Sequence, residues 1–368
     1  MPTYKTPGVY IEEIASGARP IEAVSTSVTA FLGIAPNDDV SVGQATKVAS
    51  YADFERHFGG KPHRGNTLAN AVAGFFMNGG TLCYVINLGA GVVSVGQDML
   101  AALDHLDEIN LIAAPGFVDD DSYQALTTHC DLRGDCMAIL DAPLDFSYDP
   151  SIGPIAQSEH GFGALYTPWI KICDAISGDA IYQPPSGHIA GLFAQTDALR
   201  GVHVSPANVI LNGALGLNQD YPSDEITAMA ASGVNAIKTF PNGIKVWGAR
   251  TIAPSWSQWR YVPVRRLMMM IRRSIQLGTA WSVFEPHDET LWTSVSRDVT
   301  AFLHGIWREG ALAGAKPDEA FYARCDRTTM SQSDIDRGQL ILEIGVAPLK
   351  PAEYIVLRVE HNNVGLPP

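Results

Sequence analysis

Two residues in this chain have the types and surroundings of hydrolase machinery. Asp141 lies just past the apolar run Met137, Ala138, Ile139, Leu140, and His188 lies in what reads as a glycine-containing loop. An acid and a base so placed are two of the three members that activate a nucleophilic serine in α/β hydrolases. The nucleophile is missing from the pattern. No Gly-x-Ser-x-Gly elbow occurs, and no serine is read in a small-residue helix start. Asp141 is therefore read as a turn cap before Pro143, and His188 as a structural hydrogen-bonding group.

Other chemistry is equally poorly supported. There is no Gly-x-Gly-x-x-Gly after a strand and no Gly-x-x-x-x-Gly-Lys-Ser/Thr, so neither a dinucleotide nor a nucleotide phosphate has a cradle, and no cofactor is expected. Asp119, Asp120 and Asp121 precede a helical segment, where carboxylates favour the positive end of the helix dipole. His287, Asp288 and Glu289 read the same way, with no second histidine one turn on to complete a metal site. The five cysteines, Cys83, Cys130, Cys136, Cys173 and Cys325, are scattered without a Cys-x-x-Cys pair, which suits free and mostly buried thiols in a reducing compartment.

The 368 residues are 46% hydrophobic and 17% charged, an ordinary globular balance with length for two or three domains. The net charge of -14 is carried by one half. Residues 1–184 hold 8 Lys and Arg against 22 Asp and Glu, whereas the remainder holds 17 of each. Between Glu225 and Glu285 no acidic residue occurs, while Lys238, Lys245, Arg250, Arg260, Arg265, Arg266, Arg272 and Arg273 supply eight positive charges. Surfaces of opposite sign suit self-association, or a solvated acidic exterior with the basic stretch kept for a partner, and so acidic a chain without a binding motif is a poor ligand for nucleic acid. Six of the seven tryptophans (Trp247, Trp256, Trp259, Trp281, Trp292, Trp307) lie beside this basic stretch, a composition that suits interface hot spots as well as core. No apolar run nears the roughly 18 to 20 residues that span a bilayer, and the first residues lack the pattern of a secretory leader, so cytoplasmic synthesis without direct membrane insertion is expected.

The elements alternate. Residues 28–35 form a nearly continuous apolar strand, residues 51–58 a short helix, and residues 67–77 a second helix capped by Asn66. Strands at 82–88, 111–114 and 137–140, with a helix from Asp121 to about Leu132, imply an α/β layer with parallel pairing. Past Pro184 and Pro185 the chain reads as turn-rich. Two amphipathic helices follow, one with Leu267, Ile271 and Ile275 on one side and Arg265, Met269, Arg272, Arg273 and Gln276 on the other, the next from about Asp288 to Glu309. Each end carries a short β-prone run on a tether: Val9, Tyr10, Ile11, Glu12, Glu13, Ile14 at the start and Tyr354, Ile355, Val356, Leu357, Arg358, Val359 at the finish. Strands so isolated need a sheet elsewhere. A strand is also expected at residues 339–346.

In this order the residues resemble the contractile tail sheath proteins. The resemblance covers nearly the whole chain. It opens with Thr6-Pro-Gly-Val-Tyr-Ile-Glu-Glu13 and continues through Phe75-Phe-Met-Asn-Gly-Gly80, Cys83-Tyr-Val85 and Ala138-Ile-Leu-Asp-Ala-Pro143. It is densest at Pro184-Pro-Ser-Gly-His-Ile-Ala-Gly191 and Thr196-Asp-Ala-Leu-Arg-Gly-Val202, then at Gly233-Val-Asn235, Val246-Trp-Gly-Ala-Arg-Thr251 and Trp259-Arg-Tyr261. It ends with Trp281-Ser-Val-Phe-Glu-Pro286, Gly345-Val-Ala-Pro348 and Lys350-Pro-Ala-Glu-Tyr354.

The resemblance implies a multi-domain α/β and α+β subunit without enzymatic activity. Its parts would be an N-terminal β-arm (1–25), an outer α/β region (26–100), a subtilisin-like but non-catalytic α/β/α domain (101–250), a C-terminal inner α+β domain (251–351) and a C-terminal β-arm (352–368). It also implies stacked hexameric rings around an inner tube, with contraction driving that tube through a target membrane. Subunit contacts are then expected from Val9, Tyr10, Ile11, Glu12 and Ile14 and from Tyr354, Ile355, Val356, Leu357 and Val359, and tube or neighbour contacts from Arg265, Arg266, Arg272 and Arg273. The implied partners are further copies of the chain, the tube protein, baseplate and terminator or cap proteins, and paralogous sheath proteins. Assembly would take place in the bacterial cytoplasm, within a phage-tail-like particle open to extracellular release. The short length suits an extracellular injection particle or a pyocin-like tail. The competing readings are an α/β hydrolase and a non-contractile tail or tube protein.

Overall fold

The computed structural model describes residues 19–62, 64–149 and 155–353. The expected terminal strands at 9–14 and 354–359 lie outside these residues. The chain divides into two units: residues 24–273 with 348–368, and residues 1–23 with 274–347.

The larger unit is built on one eight-stranded sheet, whose strands run β1 (Thr29–Gly33), β2 (Ala45–Val48), β3 (Cys83–Asn87), β4 (Leu111–Ala113), β5 (Met137–Asp141), β6 (Gly163–Thr167), β10 (Val234–Phe240) and β11 (Gly243–Trp247). A three-stranded antiparallel sheet, β7 (Ile170–Cys173), β8 (Ala180–Gln183) and β9 (Gly216–Leu217), sits beside it in sequence. The eight-strand order is β11-β10-β6-β5-β4-β1-β3-β2, parallel throughout except at the two margins, where β2 and β11 run antiparallel to their neighbours. Every residue of β1, β3, β4, β5 and β6 is buried, as parallel strands covered on both faces must be. The expected division between 26–100 and 101–250 falls inside this sheet, because β1 pairs with both β3 and β4.

Helices α1 (Tyr51–Phe58), α2 (Thr67–Met77), α3 (Gln97–Leu100), α4 (Asp120–Arg133), α5 (Ser186–Arg200), α6 (Ser223–Ala231) and the first part of α7 (Val262–Gly278) belong to the same unit. Local chemistry starts two of those anticipated. Ser50 accepts from the Asp53 amide at 3.1 Å ahead of α1, and Asp119 accepts from the Ser122 amide at 2.9 Å ahead of α4, which Gly134 ends in the left-handed conformation. Asn66 precedes α2 as expected, but its side chain makes no capping bond there. The turn-rich expectation past Pro185 fails at residues 186–200. Helix α5 begins there and packs against α2, β4 and β5. Gly187 permits that closeness: a Cβ on it would land inside the backbone of Ala71 on α2.

In the smaller unit α8 (Glu289–Arg308) is capped by Asp288, whose carboxylate accepts from the Leu291 amide at 2.9 Å. It packs against α9 (Pro317–Ala320) and against β12 (Phe321–Arg324), which pairs antiparallel with β13 (Glu343–Val346). The last strand is thus shorter than the 339–346 expected. Helix α10 (Gln332–Asp336) opens with a capping box between Ser331 and Asp334. Leu291, Trp292, Val295, Cys325 and Met330 form the core of this unit. Among the described residues no helix is long and apolar enough to cross a membrane.

Candidate assembly sites and the carboxylate centre

The hydrolase pattern meets an unexpected serine. Ser186 is the first residue of α5; its backbone N–H donates to Asp141 Oδ1 at 2.8 Å and its hydroxyl donates to Oδ2 at 2.6 Å. The Gly116 amide adds a longer bond of 3.4 Å to the same carboxylate. Asp141 therefore caps α5 from the end of β5 and does not cap a turn before Pro143. Burial pushes its pKa up to about 7, against the pull of the Ser186 donors.

His188 lies on α5 rather than in a loop. Its Nδ1 is buried without a hydrogen-bond partner, and burial pushes its pKa down to about 4. The ring fills space against Gly74 on α2, where any Cβ would collide with it. Ser186 thus bonds directly to the acid with no imidazole between them, and all three residues are buried. Serine catalysis needs a base on the hydroxyl and access for a carbonyl, and this arrangement supplies a helix cap instead.

The basic helix is less free than its charges suggest. Arg265 is 8% exposed, its guanidinium 3.5 Å from the Phe162 ring centroid and 4.4 Å from that of Trp259, and burial pulls its pKa down to about 10. Arg266, 3% exposed, forms a bidentate pair with Asp197 at 2.8 and 2.5 Å and also donates to the Thr26 carbonyl at 2.8 Å. These two side chains, from which a contact with the tube or a neighbouring subunit was expected, are committed inside the chain. Arg273 pairs with Asp107 at 2.8 Å, and Arg272 is exposed. The sequence signal for Arg266 was its partner Asp197, which the linear pattern does not connect to it.

Large apolar side chains are exposed elsewhere. Phe284 is fully exposed at 102%, held at φ 70°, a left-handed conformation uncommon for a bulky side chain. Of the tryptophans, Trp256 and Trp247 are exposed, while Trp292 is core. Strands β12 and β13 make a two-stranded sheet with no third strand among the described residues. The roots of both terminal segments are visible: the Arg19 guanidinium stands 4.3 Å over the Trp281 ring, and the Glu353 carboxylate pairs with Arg250.

Residues 93–252 match the central domain of phage tail sheath proteins and residues 255–362 match the phage tail sheath C-terminal domain. A putative prophage major tail sheath protein of Pseudomonas aeruginosa (strain UCBPP-PA14) is 29% identical over 288 residues, covering 73% of this chain and 71% of that protein. The tail sheath protein of Vibrio phage KVP40 is 25% identical over 303 residues, covering 74% of this chain but 44% of its own length. Among solved structures, a chain of the PVC sheath complex of an extracellular contractile injection system, in its contracted state, aligns with a TM-score of 0.83 at 31% identity over 99% of both chains. A chain of the contracted helical sheath of the anti-feeding prophage aligns with a TM-score of 0.81 at 31% identity over 98% of this chain and 100% of that one. Both sheath domains are matched in order along the chain and the likeness runs nearly end to end, so this protein belongs to the contractile tail sheath family, as a structural subunit of a contractile sheath.

Proposed function

We propose that this chain polymerises as stacked hexameric rings around an inner tube, its two terminal segments crossing to neighbouring subunits as added strands. The observation that carries this is the two-stranded sheet of β12 and β13. Isolated strand pairs are marginal in water, and their free edges are templates for further strands. Residues 9–14 and 354–359 have the composition to supply those strands, and backbone pairing would join subunits without large flat interfaces. A mesh of this kind stays connected while rigid subunits repack from a metastable extended helix into a shorter, wider one. Such contraction drives the tube without nucleotide fuel.

The larger unit is read as the subtilisin-like domain without its catalysis, a reading supported by Asp141 at a strand end and Ser186 at a helix start serving as a cap. The acidic first half faces outward and Arg272 contacts the tube or a neighbour. Baseplate, terminator and paralogous sheath proteins complete the particle, assembled in the bacterial cytoplasm. The chain spans essentially the whole of the solved injection-system sheaths but 44% of the KVP40 protein, which favours an extracellular injection particle or pyocin-like tail. Deleting residues 1–15 tests the strand reading: the expected product is a folded subunit that forms no tubes by electron microscopy, and long sheaths from the deleted chain would refute it.

A further inference from the structure

We propose that Arg250 and Glu353 form the fastening that fixes where the C-terminal segment leaves the larger unit; the mechanical consequence rests on residues 354–359 acting as a donated strand. Glu353 is the last described residue before that segment, and Pro348 and Pro351 restrict the backbone leading to it. Its carboxylate takes Arg250 in fork geometry, Nε to Oε1 at 2.8 Å and Nη2 to Oε2 at 2.5 Å. The Arg250 side chain is 5% exposed and that of Glu353 24%, so solvent screens the pair poorly.

Arg250 is itself tied into the sheet. Its Nη1 donates to the Ala230 carbonyl at the end of α6 at 2.5 Å. Its backbone N–H donates to Asn235 Oδ1 at 2.7 Å, and its carbonyl accepts from Asn235 Nδ2 at 2.7 Å. The same amide nitrogen of Asn235, on β10, donates to the Leu165 carbonyl on β6 at 3.1 Å. Tension on residues 354–368 is thereby delivered through one carboxylate into α6, β10 and β6.

The opposite end is held differently, on the smaller unit. Arg19 stands over the Trp281 ring at 4.3 Å, and its backbone N–H reaches Asp298 Oδ2 at a long 3.4 Å. Neither contact has the strength of a part-buried bidentate pair. The two terminal segments are thus fastened by different chemistry, the C-terminal one by an ion pair and the N-terminal one by packing on an aromatic ring.

The test places a nitroxide on the full chain at Ala352→Cys, in a Cys173→Ser background that removes the exposed thiol. Electron paramagnetic resonance of the unassembled chain then reads mobility beside the pair. Glu353→Gln keeps the volume and Glu353→Ala removes the group, so a folding failure in one leaves the other. Both variants are expected to free the label at least threefold with the melting transition in place, and to shorten the tubes seen by electron microscopy at least threefold. Unchanged label mobility, or full-length tubes from a chain whose label has been freed, overturns the proposal. A chain ending at Glu353 separates the two ideas: if it still builds long sheaths, the donated-strand reading falls, whereas the label mobility judges the fastening alone.

Discussion

Ser186 donates twice to Asp141, from its backbone at 2.8 Å and its hydroxyl at 2.6 Å, so a carboxylate at the end of one strand holds the start of a helix 45 residues later. The pair looks like part of a catalytic set, yet the imidazole that would separate its members stands elsewhere, against Gly74. A fluorophosphonate probe is expected to leave Ser186 unlabelled; mass-spectrometric detection of an adduct on it would return the hydrolase reading.

The same pair makes stability depend on pH. Asp141 has its pKa raised from 3.8 to about 7 by burial, so between these values the folded chain keeps a proton that the unfolded chain has lost. The stabilisation is present in full below the unfolded value and disappears as pH rises through about 7. Between pH 5 and pH 8 the native protein should therefore lose roughly 2 to 3 kcal/mol relative to Asp141→Asn, which has no proton to release. Urea unfolding of both proteins at the two pH values measures this, and parallel stabilities would show the group to be ionised throughout.

Arg266 and Asp197 are both buried within the larger unit, so removing one leaves an uncompensated charge. Asp197→Ala is expected to cost roughly 3 to 5 kcal/mol in chemical denaturation. Replacing both by apolar residues of similar size should cost clearly less than the two single changes added together.

Arg272 and Arg265 should separate assembly from folding. Arg272→Glu, at an exposed position, is expected to leave the melting temperature within a degree or two while lowering the yield of assembled tubes. Arg265→Glu removes a cation packed on Phe162 and Trp259 and buries a carboxylate, so soluble expression should fall. Equal assembly from the Arg272 variant would remove that side chain from any contact.

Gly187 sits at a close approach of α2 and α5. Gly187→Ala pushes a methyl group into the Ala71 backbone and is expected to destabilise by roughly 2 to 4 kcal/mol, although alanine is the better helix former. A stabilised variant in calorimetry would mean the two helices can slide apart.

What the residues determined by themselves is the set of elements whose signals are local. The helices at Tyr51–Phe58, Asp120–Arg133 and Glu289–Arg308 carry their caps, Ser50, Asp119 and Asp288, within three residues of the amides they satisfy. The buried strands β1, β3, β4 and β5 declared themselves as apolar runs, whereas β6 was not anticipated, and the ordered motifs from Thr6 to Tyr354 were enough to point to the family. Tertiary structure decided the rest, because the partners are distant. Helix α5 has no capping side chain of its own and waits for Asp141, so prolines and glycines at its start read as turns. Arg266 looks like a surface cation until folding sets it beside Asp197, 69 residues away. The strands before residue 100 and those after it read as separate regions, and became one sheet through β1, whose pairing with both β3 and β4 is made by backbone groups that carry no side-chain signature.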